Sequence, residues 1–192
     1  MVVVGLDLAG VETRPTGFCT LNGMHAQTVD LYTDKEIIQK TLEANPEIIG
    51  IDAPLSLPPG RISLEDRNAP HLRPCDRELI KSGVKIFPMT LGPMRKLTKR
   101  GIMLRQVFEE KGFKVLEVYP GGAQDVFGIA RKQKGLDKLL AGLVNLGITG
   151  LNGSLSDHEL DAATAAYVCN LYLERKCVTY GSGKEVIVMP KK

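Results

Sequence analysis

The chain is predicted to fold as a mixed α/β sheet in which an antiparallel three-strand meander is extended by parallel strands, with helices on both faces. Two short apolar runs, Val2-Val3-Val4-Gly5-Leu6 and Ile48-Ile49-Gly50-Ile51, are rich in β-branched residues and long enough for buried strands. Between them, Thr16 to Leu21 alternates and leads into Asn22-Gly23, a strong hairpin signal. Helical segments then separate the later apolar runs, as in sheets extended through helical connections.

In chain order, the first run ends on Asp7, and Leu8-Ala9-Gly10 forms a turn before the second strand. Met24 to Tyr32 is the predicted third strand. Asp34 to Ala44 carries Ile37, Ile38 and Leu42 at helical spacing, and Asn45-Pro46 stops it before the Ile48 strand. From Ala53 to Pro93 the chain changes character, because seven of its 11 prolines fall there. This is an irregular excursion over one end of the sheet, with a short helix opening near Pro74. Pro93 to Lys111 reads as a longer helix, Phe113 to Tyr119 as a strand ended by Pro120-Gly121-Gly122, and Leu136 to Leu146 as a helix. Asp157 to Lys176 is the clearest helix, and a hairpin around Gly181-Ser182-Gly183 closes the chain.

A chain of 192 residues, 43% hydrophobic and 24% charged, can bury its core as one domain over residues 1–192, with the excursion at about 53–93 as an elaboration. It has no apolar stretch of membrane-spanning length and no leader pattern, so no membrane partner and a cytoplasmic location are expected. Cys19, Cys75, Cys169 and Cys177 form no C-x-x-C pair and read as reduced, mostly buried thiols. A net charge of +3 falls short of a dedicated nucleic-acid coat. Two basic groups, Arg95 to Arg105 and Arg131 to Lys138, read either as phosphate contacts or as solvated helix faces. The absence of tryptophan and an aromatic share of 5% argue against an aromatic platform for stacked bases.

The chemistry is carried by acids. Asp7 and Asp52 each end a buried strand, which brings both to the rim of the sheet. Carboxylates gathered from separate strands repel, and persist as anions mainly where a cation neutralises them. Asp157 and Asp161, four apart, share one helix face; a capping role explains Asp157 well, and Asp161, deeper among alanines, less well. Glu117 either joins this set or makes a structural ion pair with Arg73 or Arg77. Two hard cations about 4 Å apart need three or four such carboxylates to activate water and stabilise a leaving oxygen. His25, His71 and His158 lack ligand spacing; His158 reads as an exposed helix residue, with help in proton transfer as the other reading.

Five segments in order are Val4-Gly5-Leu6-Asp7-Leu8-Ala9-Gly10 with Thr16-Gly17-Phe18, Ile49 to Pro58, Arg73-Pro74-Cys75-Asp76-Arg77, Glu117-Val118-Tyr119-Pro120, and Asp157 to Ala163. Together they resemble the predicted-nuclease family catalogued as domain of unknown function 429. That resemblance implies a ribonuclease H-like fold, distantly like Holliday-junction resolvases of the RuvC type. It implies Asp7, Asp52 and Asp161 as catalytic ligands of Mg2+ or Mn2+, with Asp157 auxiliary and open as a further ligand. The family's Glu-x-x-Pro and Arg-x-x-Asp-Arg elements map onto Glu117, and onto Arg73, Asp76 and Arg77, as auxiliary residues. Such resolvases bring their two late acids three residues apart, whereas Asp157 and Asp161 are four apart, which leaves open which one binds metal.

The expected activity is therefore metal-dependent hydrolysis of phosphodiester bonds in DNA or RNA, with nucleic acid as partner and a homodimer as an admissible assembly. Two other classes compete. A non-catalytic nucleic-acid-binding or scaffold module would hold the acids in a metal-free ion-pair network. A phosphotransferase or ATPase-like protein would use the turn after Asp7 for phosphate, but needs two such domains facing one another.

Overall fold

The computed structural model describes residues 1–191. Its sheet has seven strands in the order β3-β2-β1-β4-β5-β7-β6. β1 (Val2–Asp7), β2 (Thr16–Asn22) and β3 (His25–Leu31) form the antiparallel meander. β4 (Ile48–Ile51) pairs parallel with β1, β5 (Lys114–Val118) parallel with β4, and β7 (Glu185–Pro190) parallel with β5. β6 (Cys177–Ser182) closes the far edge antiparallel to β7. The expected mixed sheet is thus present, with the predicted third strand one residue shorter at each end.

α1 (Asp34–Ala44) starts at a capping box in which Thr33 accepts from the Glu36 N–H, and ends at Asn45 in the left-handed region. α2 (Pro74–Lys81) is the one helix of the excursion, opened by proline at its first position. α3 (Gly92–Glu110), α4 (Pro120–Phe127), α5 (Leu136–Asn145) and α6 (Asp157–Leu173) follow, with a 3₁₀ turn at Lys132–Lys134. α4 differs from the expectation that Pro120-Gly121-Gly122 only ends a strand. Proline at the first helical position has its φ already set for a helix and lacks only an N–H that the helix would leave unpaired. The glycines persist there because a Cβ on Gly122 would stand 2.6 Å from the Tyr119 ring.

Strand alternation divides the core in two. Val4, Leu6, Ile49, Ile51 and Val115 pack with Ile37 of α1 and with Leu104 and Phe108 of α3. Val3, Ile48, Leu116 and Val118 face the other way, against α4, α5 and the alanine-rich α6. α6 is buried along most of its length, from Leu160 to Leu171, as befits a helix that is apolar all round. It approaches the sheet closely because β1 and β2 carry glycines beneath it. A Cβ on Gly5 would stand 2.1 Å from the Ala162 carbonyl oxygen, and one on Gly17 1.9 Å from that of His158.

Candidate active site

The alternation that puts Val3 and Gly5 under α6 also aims Asp7 at that helix, and in β4 the same parity carries Asp52 to the same face as Ile48. Asp161 comes down from α6 onto them. All three line one cavity of about 290 Å3 at the carboxyl ends of β1 and β4. Asp7 and Asp161 are buried; Asp52 is half-buried.

Their partners are cations and donors. His158 donates from Nδ1 to Asp7 Oδ2 at 2.7 Å. Lys132 Nζ lies 2.9 Å from Asp161 Oδ2 and 3.1 Å from Asp157 Oδ2, bridging the two acids of α6. Gln124 of α4 donates to Asp161 Oδ1 at 2.7 Å. Asp52 makes no side-chain hydrogen bond or ion pair among the described residues. Burial raises its proton affinity well above the ordinary carboxylate range, and the charges of Asp7 and Asp161 raise it further. Burial likewise raises Asp7, opposed by the hydrogen bond from His158. Burial works against the charge of Lys132, yet Asp161 and Asp7 hold its proton more tightly than usual.

Glu117 does not join this set. It leaves β5 on the opposite face from its neighbours Leu116 and Val118, in register with Ile51 rather than Asp52. There Arg73, only 1% exposed, donates from Nη1 and Nη2 to its two oxygens at 2.6 and 2.5 Å. The same guanidinium donates from Nε and Nη2 to Asp76 at 3.1 and 2.7 Å. The structural ion pair, one of two readings of Glu117, is the arrangement found. Burial works against the Arg73 charge, and Glu117 and Asp76 more than restore it, so its pKa is raised. The triad backs one wall of the cavity and anchors the excursion, since the Leu55 N–H also donates to Glu117 at 2.8 Å. Arg77 points away: it is exposed and has no side-chain partner among the described residues. Asp157, with its side chain 41% exposed, stands at the edge of the site, beside Lys132 at 3.1 Å and 3.8 Å from His158 Nε2.

Three further residues complete the site. His158, for which an exposed helix residue and help in proton transfer were the two readings, is half-buried on Asp7; its spacing of three before Asp161, which puts both on one helix face, is the signal that favours a place in the site. Lys132 and Gln124 arrive from the connection after β5; Lys132 falls in the basic group from Arg131 to Lys138, and no local pattern marks Gln124. The basic groups divide as well. Arg100 is a buried brace, donating to the carbonyls of Ala9 and Tyr32 at 2.8 Å each and to Asp34 at 2.7 Å, which pins the turn after Asp7. Lys96 and Lys99 remain on the exposed side of α3.

Asp7, Asp52 and Asp161 offer hard oxygen donors of the kind Mg2+ and Mn2+ take. Asp52 is short of a counter-charge, while Lys132 and His158 supply positive charge beside the other two. The set fits a hard cation by type and charge. Among the described residues no three acid, histidine or cysteine side chains stand close enough to hold one ion as they are; Mg2+ is commonly held by one or two carboxylates with water completing its shell. No helix among the described residues is long and apolar enough to cross a membrane.

No family model matches the chain. No curated protein matches it either, so the likeness to domain of unknown function 429 rests on its motifs alone. Solved structures do match. One is the T. thermophilus RuvC in complex with Holliday junction substrate, at 13% identity and a TM-score of 0.52, covering 91% of this chain and 96% of that one. Another is the Thermus thermophilus RuvC structure, at 15% identity, the same coverage and a TM-score of 0.48. With the strand order and the packing of α6, the first of these likenesses establishes a mixed α/β fold of the ribonuclease H-like, RuvC kind.

Proposed function

We propose that the chain is a metal-dependent nuclease that hydrolyses phosphodiester bonds of DNA or RNA. The observation that carries this reading is the convergence of Asp7, Asp52 and Asp161 on one cavity from two adjacent parallel strand ends and the helix above them. The fold likeness to a RuvC solved with a Holliday junction makes nucleic acid the substrate class to test first, branched DNA included.

Asp7, Asp52 and Asp161 would hold Mg2+ or Mn2+, with Asp157 as an auxiliary ligand. Bound there, the cations would lower the pKa of water and stabilise the leaving oxygen. The protein's own residues do the rest. Lys132 holds a positive charge beside Asp161, where a phosphate oxygen can meet it. His158 is oriented by its Nδ1 bond to Asp7, which leaves Nε2, 3.8 Å from Asp157, to take up or give a proton. Gln124 fixes the rotamer of Asp161.

The test is cleavage of single-stranded, duplex and four-way-branched oligonucleotides, titrated with Mg2+ and with Mn2+. Metal-dependent cleavage that Asp7→Asn and Asp52→Asn abolish is the expected result; inactivity on every substrate, or full activity in Asp7→Asn, rejects the reading. One observation favours a second reading, a non-catalytic module: Lys132 and His158 partly neutralise Asp161 and Asp7 without any metal. Mn2+ binding followed by electron paramagnetic resonance separates the two, since a metal-free scaffold leaves the Mn2+ signal that of the free ion.

A further inference from the structure

The cavity that holds the acids has a second half whose chemistry is not that of a metal site. Besides the charged residues, apolar Ile86, Phe87, Met94 and Leu97 line it together with Tyr119. This wall is built in advance. The Tyr119 hydroxyl donates to the Lys85 carbonyl at 3.1 Å, Ile86 and Tyr119 pack against the same small apolar cluster, and the Arg131 guanidinium lies 5.8 Å from the centre of the Tyr119 ring. Arg131 is itself held by Asp125. Phe87 lines the cavity and is 73% exposed, an unusual state for a phenylalanine.

We infer that this half of the cavity receives the unpaired base of one nucleotide in a nucleic-acid strand, whose phosphate lies toward Lys132 and the acids. The inference rests on the nuclease reading for its ligand class and goes beyond it in naming the substrate as unpaired. Size is in keeping with it: the whole cavity, acids included, is about 290 Å3, just under the roughly 300–1,000 Å3 of small-molecule sites, so its apolar part has no room for a stacked base pair. Chemistry supports it equally. An apolar recess with an exposed aromatic ring takes a base of any sequence, because every base has a π-face. A base must leave its stack to enter, which costs least in single strands, mismatches and branch points. The chain has few aromatic residues and, among the described residues, no extended stacking platform, yet two aromatics line this one cavity with the acids.

The test uses the full chain with calcium in place of magnesium, so that binding is read without cleavage. Binding of the trinucleotide d(TpTpT) is compared with the same backbone carrying tetrahydrofuran in place of each base, and with thymidine 5′-monophosphate. The expected result is that the base-bearing trinucleotide binds about fivefold tighter or more than the abasic one. It also shifts the NMR signals of the Phe87 ring and the Met94 methyl. Phe87→Ala, at a position exposed enough to leave folding intact, removes most of that difference, and Ile86→Trp, which fills the recess, does the same. Equal binding of the base-bearing and abasic strands, or a Phe87→Ala variant that binds as the wild type does, overturns the inference. A monophosphate that binds as tightly as the trinucleotide also overturns it, assigning the recess to free nucleotides. Cleavage with equal binding leaves the nuclease reading standing and this one refuted; base-dependent binding with no cleavage in any metal does the reverse.

Discussion

Gly17 and His158 are in contact in a way that only glycine permits: a Cβ at position 17 would stand 1.9 Å from the His158 carbonyl oxygen. Gly17 is also the register partner of Asp7. The missing side chain therefore sets how closely the first turn of α6 approaches the strand end that carries the acid. Gly17→Ala forces α6 outward, because the clash is with backbone and no side chain can yield. The expected loss is about 1–3 kcal/mol of stability by urea unfolding. A loss of activity larger than the stability change accounts for is also expected, since His158 and Asp161 move with the helix. Gly92→Ala, where a Cβ meets nothing within 4 Å, is the control and changes stability by no more than about 0.5 kcal/mol.

Arg73 joins two carboxylates that are themselves buried, so removing it does more than delete an ion pair. Arg73→Met leaves Glu117 and Asp76 facing one another without a counter-charge, and an expected loss of about 3–5 kcal/mol follows, read as a lower urea midpoint. The loosened segment is 53–91, tied to β5 through Glu117 and the Leu55 N–H, and limited proteolysis cuts there first in the variant. Glu117→Gln costs less, because the amide oxygen still accepts and no unpaired anion remains.

The reading from sequence found the two aspartate strands because their evidence is local: a β-branched apolar run is a strand wherever it packs, and its last residue is at the rim. It could not sort Glu117 from Asp52. Both end apolar strands, and in strands buried on both faces the run is continuous, so the alternation that separates the faces is invisible in the sequence. One residue of register decides: Glu117 sits beside Ile51, on the other face. His158 was within reach through its spacing from Asp161. Lys132 was marked only as one member of a basic group, since its place depends on where the connection after β5 folds back, and the helix that turns it, α4, hides behind Pro120-Gly121-Gly122.

The cysteines give a prediction independent of function. Burial pushes the Cys177 thiol up to about 11 and that of Cys75 to about 12, and raises Cys19 and Cys169 further still. The thiolate is the reactive form, so at pH 8 the native chain should react only slowly with an aromatic disulfide reagent. Cys177, the half-buried one, reacts first, and its rate rises with pH up to about 11. Denaturant releases all four. Rapid labelling of two or more thiols in the native state contradicts the packing described.

On the proposed metal-dependent reading, Lys132 and the cation compete for the same acids. Its ammonium lies within 3.1 Å of both Asp157 and Asp161, and it gains from the charge of Asp7 as well. Replacing it by methionine keeps the bulk of the side chain and removes the charge, leaving the acids with less positive potential to oppose a metal. One unit charge at about 4 Å is worth about 1 kcal/mol in water and more where solvent is excluded. Lys132→Met should therefore bind Mn2+ roughly fivefold tighter or better, measured by titration of the free-ion resonance signal. Cleavage moves the other way if the same ammonium meets the substrate phosphate: its rate at saturating metal falls even though metal binds more tightly. That split distinguishes a side chain working in the site from one that merely fills it. A variant with unchanged metal affinity shows that the ammonium does not stand where the cation goes.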